Sequence, residues 1–163
     1  VLITQAIHTL DIMLLLCGPV KEVHGMVHTS SFHQLEAEDF SGALLNFESG
    51  ARGTLMASTT HFPGHKEEII LNCSEATVNI SGADLKVFYH NGKIESLETD
   101  SQTGSGSDPM DFSYTWHANV IEQFWTQFTK NQQIEISAES ALPVQQLIDA
   151  IVRSSKLEKK VTV

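Results

Sequence analysis

The sequence predicts an α+β fold, an open and mostly antiparallel β-sheet with helices packed on one face. Three observations predict it. An apolar run with helical spacing opens the chain, a series of short β-prone runs fills its middle, and two further helical patterns close it. Most of the β-prone runs are joined by two to four residues, and such short connections force antiparallel pairing because a parallel crossover needs a dozen residues or more. A length of 163 residues is enough for one domain and too little for two of full size, so 1–163 is read as a single domain.

The first element is a helix over residues 1–17. Ile3, Ala6, Ile7, Leu10, Met13, Leu14 and Cys17 recur at steps of three and four, the period of one helical face. Gly18-Pro19 stops it, glycine suiting the left-handed position after a helix and proline being unable to continue one. Its start carries no capping residue, since Val1-Leu2-Ile3 is already apolar, and the expectation is a chain cut from something longer. Residues 20–98 are strand territory. Runs 40–47 and 51–61 flank Glu48-Ser49-Gly50, a hairpin signature. Runs 69–73, 76–80, 85–90 and 93–97 follow, with Asn91-Gly92 as the strongest hairpin signal because a type I′ turn needs positive φ at both positions. Residues 99–108 are a polar Gly/Ser-rich loop, expected to be mobile. A helix over 112–130 places His117, Val120, Ile121, Phe124 and Phe128 on one face, residues 137–140 lead into a last helix, and Val144, Leu147, Ile148, Ile151 and Val152 form its apolar stripe. Val161-Thr162-Val163 fits a short edge strand.

Composition excludes several functions. Ten Lys and Arg stand against 20 Asp and Glu, a net charge of −10, and no basic run is present beyond Lys156, Lys159 and Lys160, which Glu158 interrupts. Phosphate backbones are bound by clustered cations, so no nucleic-acid partner is expected. The longest apolar stretch, 12–17, is far below the ~18–20 residues that cross a bilayer, so no membrane association is expected either. Cys17 and Cys73 make neither a disulfide framework nor a Cys-x-x-Cys motif, and both read as buried small hydrophobes.

The most informative polar group lies on the first helix. At 100° per residue, Thr4, His8 and Asp11 share an arc of about 60° on an element that is mostly apolar. Burying His and Asp without partners costs several kilocalories per mole. Either they satisfy each other inside the core, or they face a wet cleft. Asp11 lies three residues from His8, within reach to fix the imidazole tautomer. Other histidines carry less. His24 and His28 are four apart in a strand, about 13 Å and too far for one ion, and His61 and His65 flank a turn without a carboxylate in it. No metal site is expected. His117, on an apolar helix face, reads as a hydrogen-bonded core histidine. Gly104-Ser-Gly106 lacks a third glycine and follows no strand, so it is not a dinucleotide fingerprint.

Val1-Leu-Ile-Thr-Gln-Ala-Ile-His-Thr-Leu-Asp11 with Gly18-Pro19-Val20-Lys-Glu-Val23, then Glu38-Asp39-Phe40-Ser-Gly-Ala43, Phe47-Glu-Ser-Gly-Ala-Arg-Gly-Thr-Leu55 and Leu147-Ile-Asp-Ala-Ile-Val-Arg-Ser-Ser155 resemble, in order, the C-terminal domain of the Gfo/Idh/MocA oxidoreductases. The resemblance implies a glyceraldehyde-3-phosphate dehydrogenase-like C-terminal fold whose open sheet face often mediates homo-oligomerisation. It implies a Rossmann domain N-terminal to this chain that holds NAD or NADP, with a Glu-Lys-Pro segment whose lysine assists catalysis. It implies hydride transfer between nicotinamide and a carbinol carbon of a sugar or polyol; separately, a cytoplasmic location is expected. A histidine at the position of His8 commonly exchanges the hydroxyl proton, which suits an imidazole because its ordinary pKa lies near neutral pH. The same resemblance makes Asp11 an orienting group and His117 a substrate contact. Many members carry an acidic residue four positions before that histidine. Here the position is Thr4, which binds a hydroxyl but is no base. The rival expectation is a non-catalytic ligand-binding or dimerisation module that kept the fold.

Overall fold

The helices and strands run in the order α1 (Ile7–Cys17), β1 (Val20–His28), β2 (Phe40–Phe47), β3 (Arg52–Ser58), β4 (Glu68–Asn72), β5 (Ala76–Ser81), β6 (Asp84–Tyr89), β7 (Ile94–Leu97), α2 (Thr115–Thr129), α3 (Leu142–Leu157) and β8 (Val161–Thr162). This is a computed structural model, which describes residues 1–98, 114–134 and 137–163. The expected loop 99–108 lies outside the described residues, as do the first residues of the helix expected from 112. The chain divides into two compact units, Val1–Phe62 with Ser137–Val163, and Pro63–Ile136. The strands follow that division, four and four, each set fully antiparallel and ordered β3-β2-β1-β8 and β4-β5-β6-β7. The α+β class and antiparallel pairing are as the sequence predicts, with the strands shared between two sheets.

In the first unit the helices cover one face. Alternate residues of β2, Ser41, Ala43, Leu45 and Phe47, are buried while Leu44 is exposed, the two-residue period of a sheet with one wet face. Val23 and Gly25 of β1 turn the same way. Against them lie Leu2, Ala6 and Leu10 from the amino-terminal segment and Val144, Leu147, Ile148, Ala150 and Ile151 from α3. Each such Leu or Ile contributes roughly 1.5–3 kcal/mol by leaving water. The helix α3 comes so close to β1 that a Cβ at Gly25 would sit 2.7 Å from the Ile151 carbonyl oxygen. Two serines of α3 then continue the ladder where a strand gives out. Strand β8 pairs only Glu22 and Val23 of β1. Beyond it the Gly25 N–H donates to Ser154 Oγ at 2.9 Å and the Val27 N–H to Ser155 Oγ at 3.0 Å.

The second unit contains a four-stranded meander. Its register puts Ile69, Ile80, Leu85 and Leu97 in one row and Leu71, Val78, Val87 and Glu95 in another on the same face. The opposite face carries the polar partners, including Asn79 Nδ2 donating to Glu68 Oε1 at 2.8 Å and a Lys66–Asp84 ion pair at 3.2 Å. Gly82, at φ 58°, turns β5 into β6.

Three local expectations are corrected. Asn91-Gly92 does turn a hairpin, but only Gly92 has positive φ, 87°. The Gly92 N–H bonds Tyr89 O and the Tyr89 N–H bonds Lys93 O, a three-residue loop ending in a left-handed glycine rather than a type I′ turn. Glu48-Ser49-Gly50 repeats that pattern with Gly50 at φ 88°. Cys17, the last residue of α1, is half-buried against the core, and Cys73, one residue past β4, is exposed. The first helix is not regular throughout. Leu2–Ala6 forms a wider π-type turn in which the Gln5 and Ala6 N–H groups both reach the Val1 carbonyl, at 3.0 and 3.1 Å. Gly18 ends α1 as expected, its N–H on Leu14 O at 2.9 Å and its φ 81°, ψ −172° in a region open essentially to glycine alone.

Candidate functional site

Leu2, Ala6 and Leu10 are buried on one side of the amino-terminal helical segment. That anchoring turns Thr4, His8 and Asp11 outward, and all three are exposed. Of the two readings the sequence left open, the sealed polar pair is therefore absent. The imidazole stands at the surface of the first unit with access to solvent. Among the described residues no hydrogen bond joins His8 to Asp11, so the side chains share a face without being locked together. Ile3, Ile12 and Leu15 of the same segment are exposed too, so the polar stripe is flanked by apolar side chains on a surface that water touches.

The missing cap of this helix is supplied from a distance. Glu38, in the connection between β1 and β2, accepts the Leu2 N–H on Oε1 at 2.9 Å, and the Val1 nitrogen donates to its carbonyl oxygen at 2.6 Å. Beside it Asp39 is fully buried. Its carboxylate accepts the Ser30 hydroxyl and the Ser30 N–H, and lies 3.1 Å from His33 Nδ1. The Ser30 hydroxyl outweighs burial and, with the Ser30 N–H and His33, holds the Asp39 carboxyl at about 2, against an ordinary 3.8. Spacing alone did not single out Glu38 and Asp39 as organisers, because their partners are a helix start 36 residues away and a loop whose shape no local pattern encodes. The one signal was that two adjacent acids directly precede a β-run.

His117 lies in the second unit, in the first turn of α2, and is exposed rather than a core histidine. Its neighbours on that helix, Val120, Ile121, Phe124 and Phe128, are exposed as well, with the Phe124 and Phe128 rings 6.1 Å apart and nearly parallel.

Residues 1–79 match the family model described as the GFO/IDH/MocA C-terminal domain. No curated protein matches the chain by sequence. Solved structures similar to it include an oxidoreductase from Agrobacterium radiobacter in complex with NAD+, L-tartaric acid and magnesium, at 22% identity and a TM-score of 0.75, covering 99% of this chain and 48% of that one. The WlbA dehydrogenase from Bordetella pertussis, in complex with NADH and UDP-GlcNAcA, is similar at 21% identity and a TM-score of 0.73, covering 98% and 43%. Levoglucosan dehydrogenase in complex with NADH and levoglucosan is similar at 17% identity and a TM-score of 0.77, covering 98% and 49%. At such identities the likeness is one of fold, and the chain spans about half the length of these neighbours.

Proposed function

We propose that this chain is the substrate-side C-terminal domain of an NAD(P)-dependent oxidoreductase of the GFO/IDH/MocA family, acting on a carbinol carbon of a sugar or polyol. One observation carries the reading: a stripe of Thr4, His8 and Asp11 exposed on a mostly apolar helix, inside the residues that match the family model. Nicotinamide supplies the hydride chemistry when bound. Among the described residues both sheets are antiparallel, and no parallel strand–glycine turn–helix unit of the phosphate-binding kind is present. No residue is therefore assigned to the cofactor, which is held mainly by a Rossmann domain N-terminal to the chain.

The chain's own residues handle the hydroxyl. His8 exchanges its proton at an imidazole nitrogen, and the neutral ring accepts it in the oxidation direction. Thr4, one turn before His8, hydrogen-bonds a substrate hydroxyl. Asp11, three residues beyond, orients the ring. The test is a dehydrogenase screen of the full-length protein against sugars, inositols and sugar acids, with NAD and NADP compared. For a substrate that is turned over, His8→Ala is expected to lower kcat by about two to four orders of magnitude. An unchanged kcat removes His8 from the mechanism.

A second reading, a ligand-binding or dimerisation module, is favoured by Thr4 standing where a carboxylate would complete a proton relay. It is also favoured by the open face of the first sheet, where Met26, Leu44 and Met56 are 59%, 61% and 80% exposed. Self-association through that face is compatible with either reading. Upstream sequence separates them: a Gly-x-Gly-x-x-Gly strand–helix unit with Glu-Lys-Pro supports the enzyme.

A further inference from the structure

The stripe that carries the proposed chemistry begins on the least self-sufficient turn of the protein. Neither the π-type turn Leu2–Ala6 nor α1 has a side-chain cap from its own N-cap residue, and the first N–H groups of any helix need acceptors from elsewhere. One side chain outside the segment meets that need. Glu38 Oε1 takes the Leu2 N–H at 2.9 Å, and the Val1 nitrogen donates to the Glu38 carbonyl oxygen at 2.6 Å. Val1 and Leu2 are thus held by the side chain and the main chain of one residue.

That residue is itself held from the sheet side. The next residue, Asp39, donates its N–H to His28 O at 3.1 Å, accepts the Thr59 N–H on its carbonyl at 3.0 Å, and has its buried carboxylate bonded by Ser30 and His33. The connection between β1 and β2 is therefore tied to strand β1 and to the residue after β3, and Glu38 passes that fixed position on to the helix start. The consequence falls on Thr4. It sits inside the widened turn, whose two N–H groups converge on the Val1 carbonyl, whereas His8 sits on regular helix. Their relative placement depends on where Val1 is held, since fraying of this turn moves Thr4 and leaves His8 in place.

We infer that Glu38 is a positioning residue for the Thr4–His8 pair, clamping the turn that carries Thr4 to the β1–β2 connection. The inference rests on the stripe being the substrate-contacting surface proposed above.

The test uses the full-length protein with Glu38→Ala, Glu38→Gln and Glu38→Asp. Glutamine keeps an acceptor at the same reach, whereas aspartate keeps the charge and falls one methylene short. Hydrogen exchange is read at the amides of residues 2–6. Loss of the cap is expected to speed it about tenfold in the alanine and aspartate variants, with glutamine close to wild type. If the alanine variant does not fold, the aspartate and glutamine variants carry the comparison alone. With a turned-over substrate, Glu38→Ala is expected to raise KM about three- to tenfold with a smaller change in kcat. That increase should largely vanish when Thr4 is already alanine, because the two act as one unit. Unchanged exchange in the alanine and aspartate variants, glutamine behaving like alanine, or independent effects of Glu38 and Thr4 on KM would each overturn the inference. A full-length protein that oxidises no sugar or polyol sinks the functional reading, and the exchange comparison then still decides whether Glu38 clamps the turn that carries Thr4.

Discussion

Gly25 and Asp39 show how single positions serve the site without touching it. A methyl group at Gly25 would meet the Ile151 carbonyl oxygen at 2.7 Å and the Ile151 side chain at 2.9 Å, and backbone oxygen on a packed helix cannot swing aside. Gly25→Ala is therefore expected to destabilise the protein by about 1–3 kcal/mol, the range for overpacking a close contact, as read from the urea midpoint. Asp39 predicts a pH dependence. Its folded carboxyl is held at about 2 against an ordinary 3.8, so the unfolded chain binds its proton first as pH falls. Its contribution is complete above the ordinary value and is lost as pH drops through the folded one. Thermal unfolding followed between pH 6 and pH 2 should show the melting temperature falling most steeply in the acid limb, and Asp39→Asn should flatten that limb. An equally steep limb in the asparagine variant would show that other carboxylates carry it. Neither role was legible beforehand. Gly25 lay in a stretch read only as strand territory, and Asp39 belonged to a motif whose partners could not be named from spacing.

At the scale of elements, α3 acts as a helix and as a substitute strand. Ser154 Oγ accepts the Gly25 N–H and donates to Lys159 O at 2.6 Å, so one buried hydroxyl serves the edge of β1 and the turn after α3. Ser154→Ala strands both groups in a dry place and is expected to cost about 1–3 kcal/mol, measurable by denaturant titration. Ser155→Ala, at a less buried position, should cost less. The apolar stripe of α3 was readable from its 3.6-residue period, and β8 from its β-branched tail. The joint between them was not, since the Gly25–Ser154 bond spans 129 residues. The amino-terminal helix shows the same limit. Its apolar period and glycine stop were plain, whereas the Leu2 N–H is capped by Glu38, 36 residues away.

For the molecule as a whole, the catalytic reading assigns the nucleotide to a part of the protein that this chain does not contain. Residues 1–163 alone should therefore bind NADH weakly, with a Kd of about 1 mM or above by calorimetric titration. Micromolar affinity would contradict that assignment. The open face of the first sheet makes a separate prediction. Met26 and Met56 flank Gly42 in the pairing register, and the Phe40 ring of β2 lies 3.8 Å from where a Cβ at Gly42 would be. If this face joins two copies, Met56→Glu should shift the protein to monomer in sedimentation, since like charges would be buried across a symmetric interface. A wild-type protein that is monomeric at high concentration would remove self-association from the proposal.

The amino-acid sequence by itself determined the class of fold, the order and most bounds of the elements, and the Thr4–His8–Asp11 stripe. Those features depend on residues a few positions apart: side-chain alternation along a strand, a 100° step around a helix, a glycine that alone tolerates a left-handed turn. Tertiary structure decided whether the stripe is sealed or exposed, how the strands divide between two sheets, and which distant carboxylate caps the first turn. Each of these depends on partners brought together only when the chain folds. Their pairing follows from the packing of whole elements, which no local run of residues encodes.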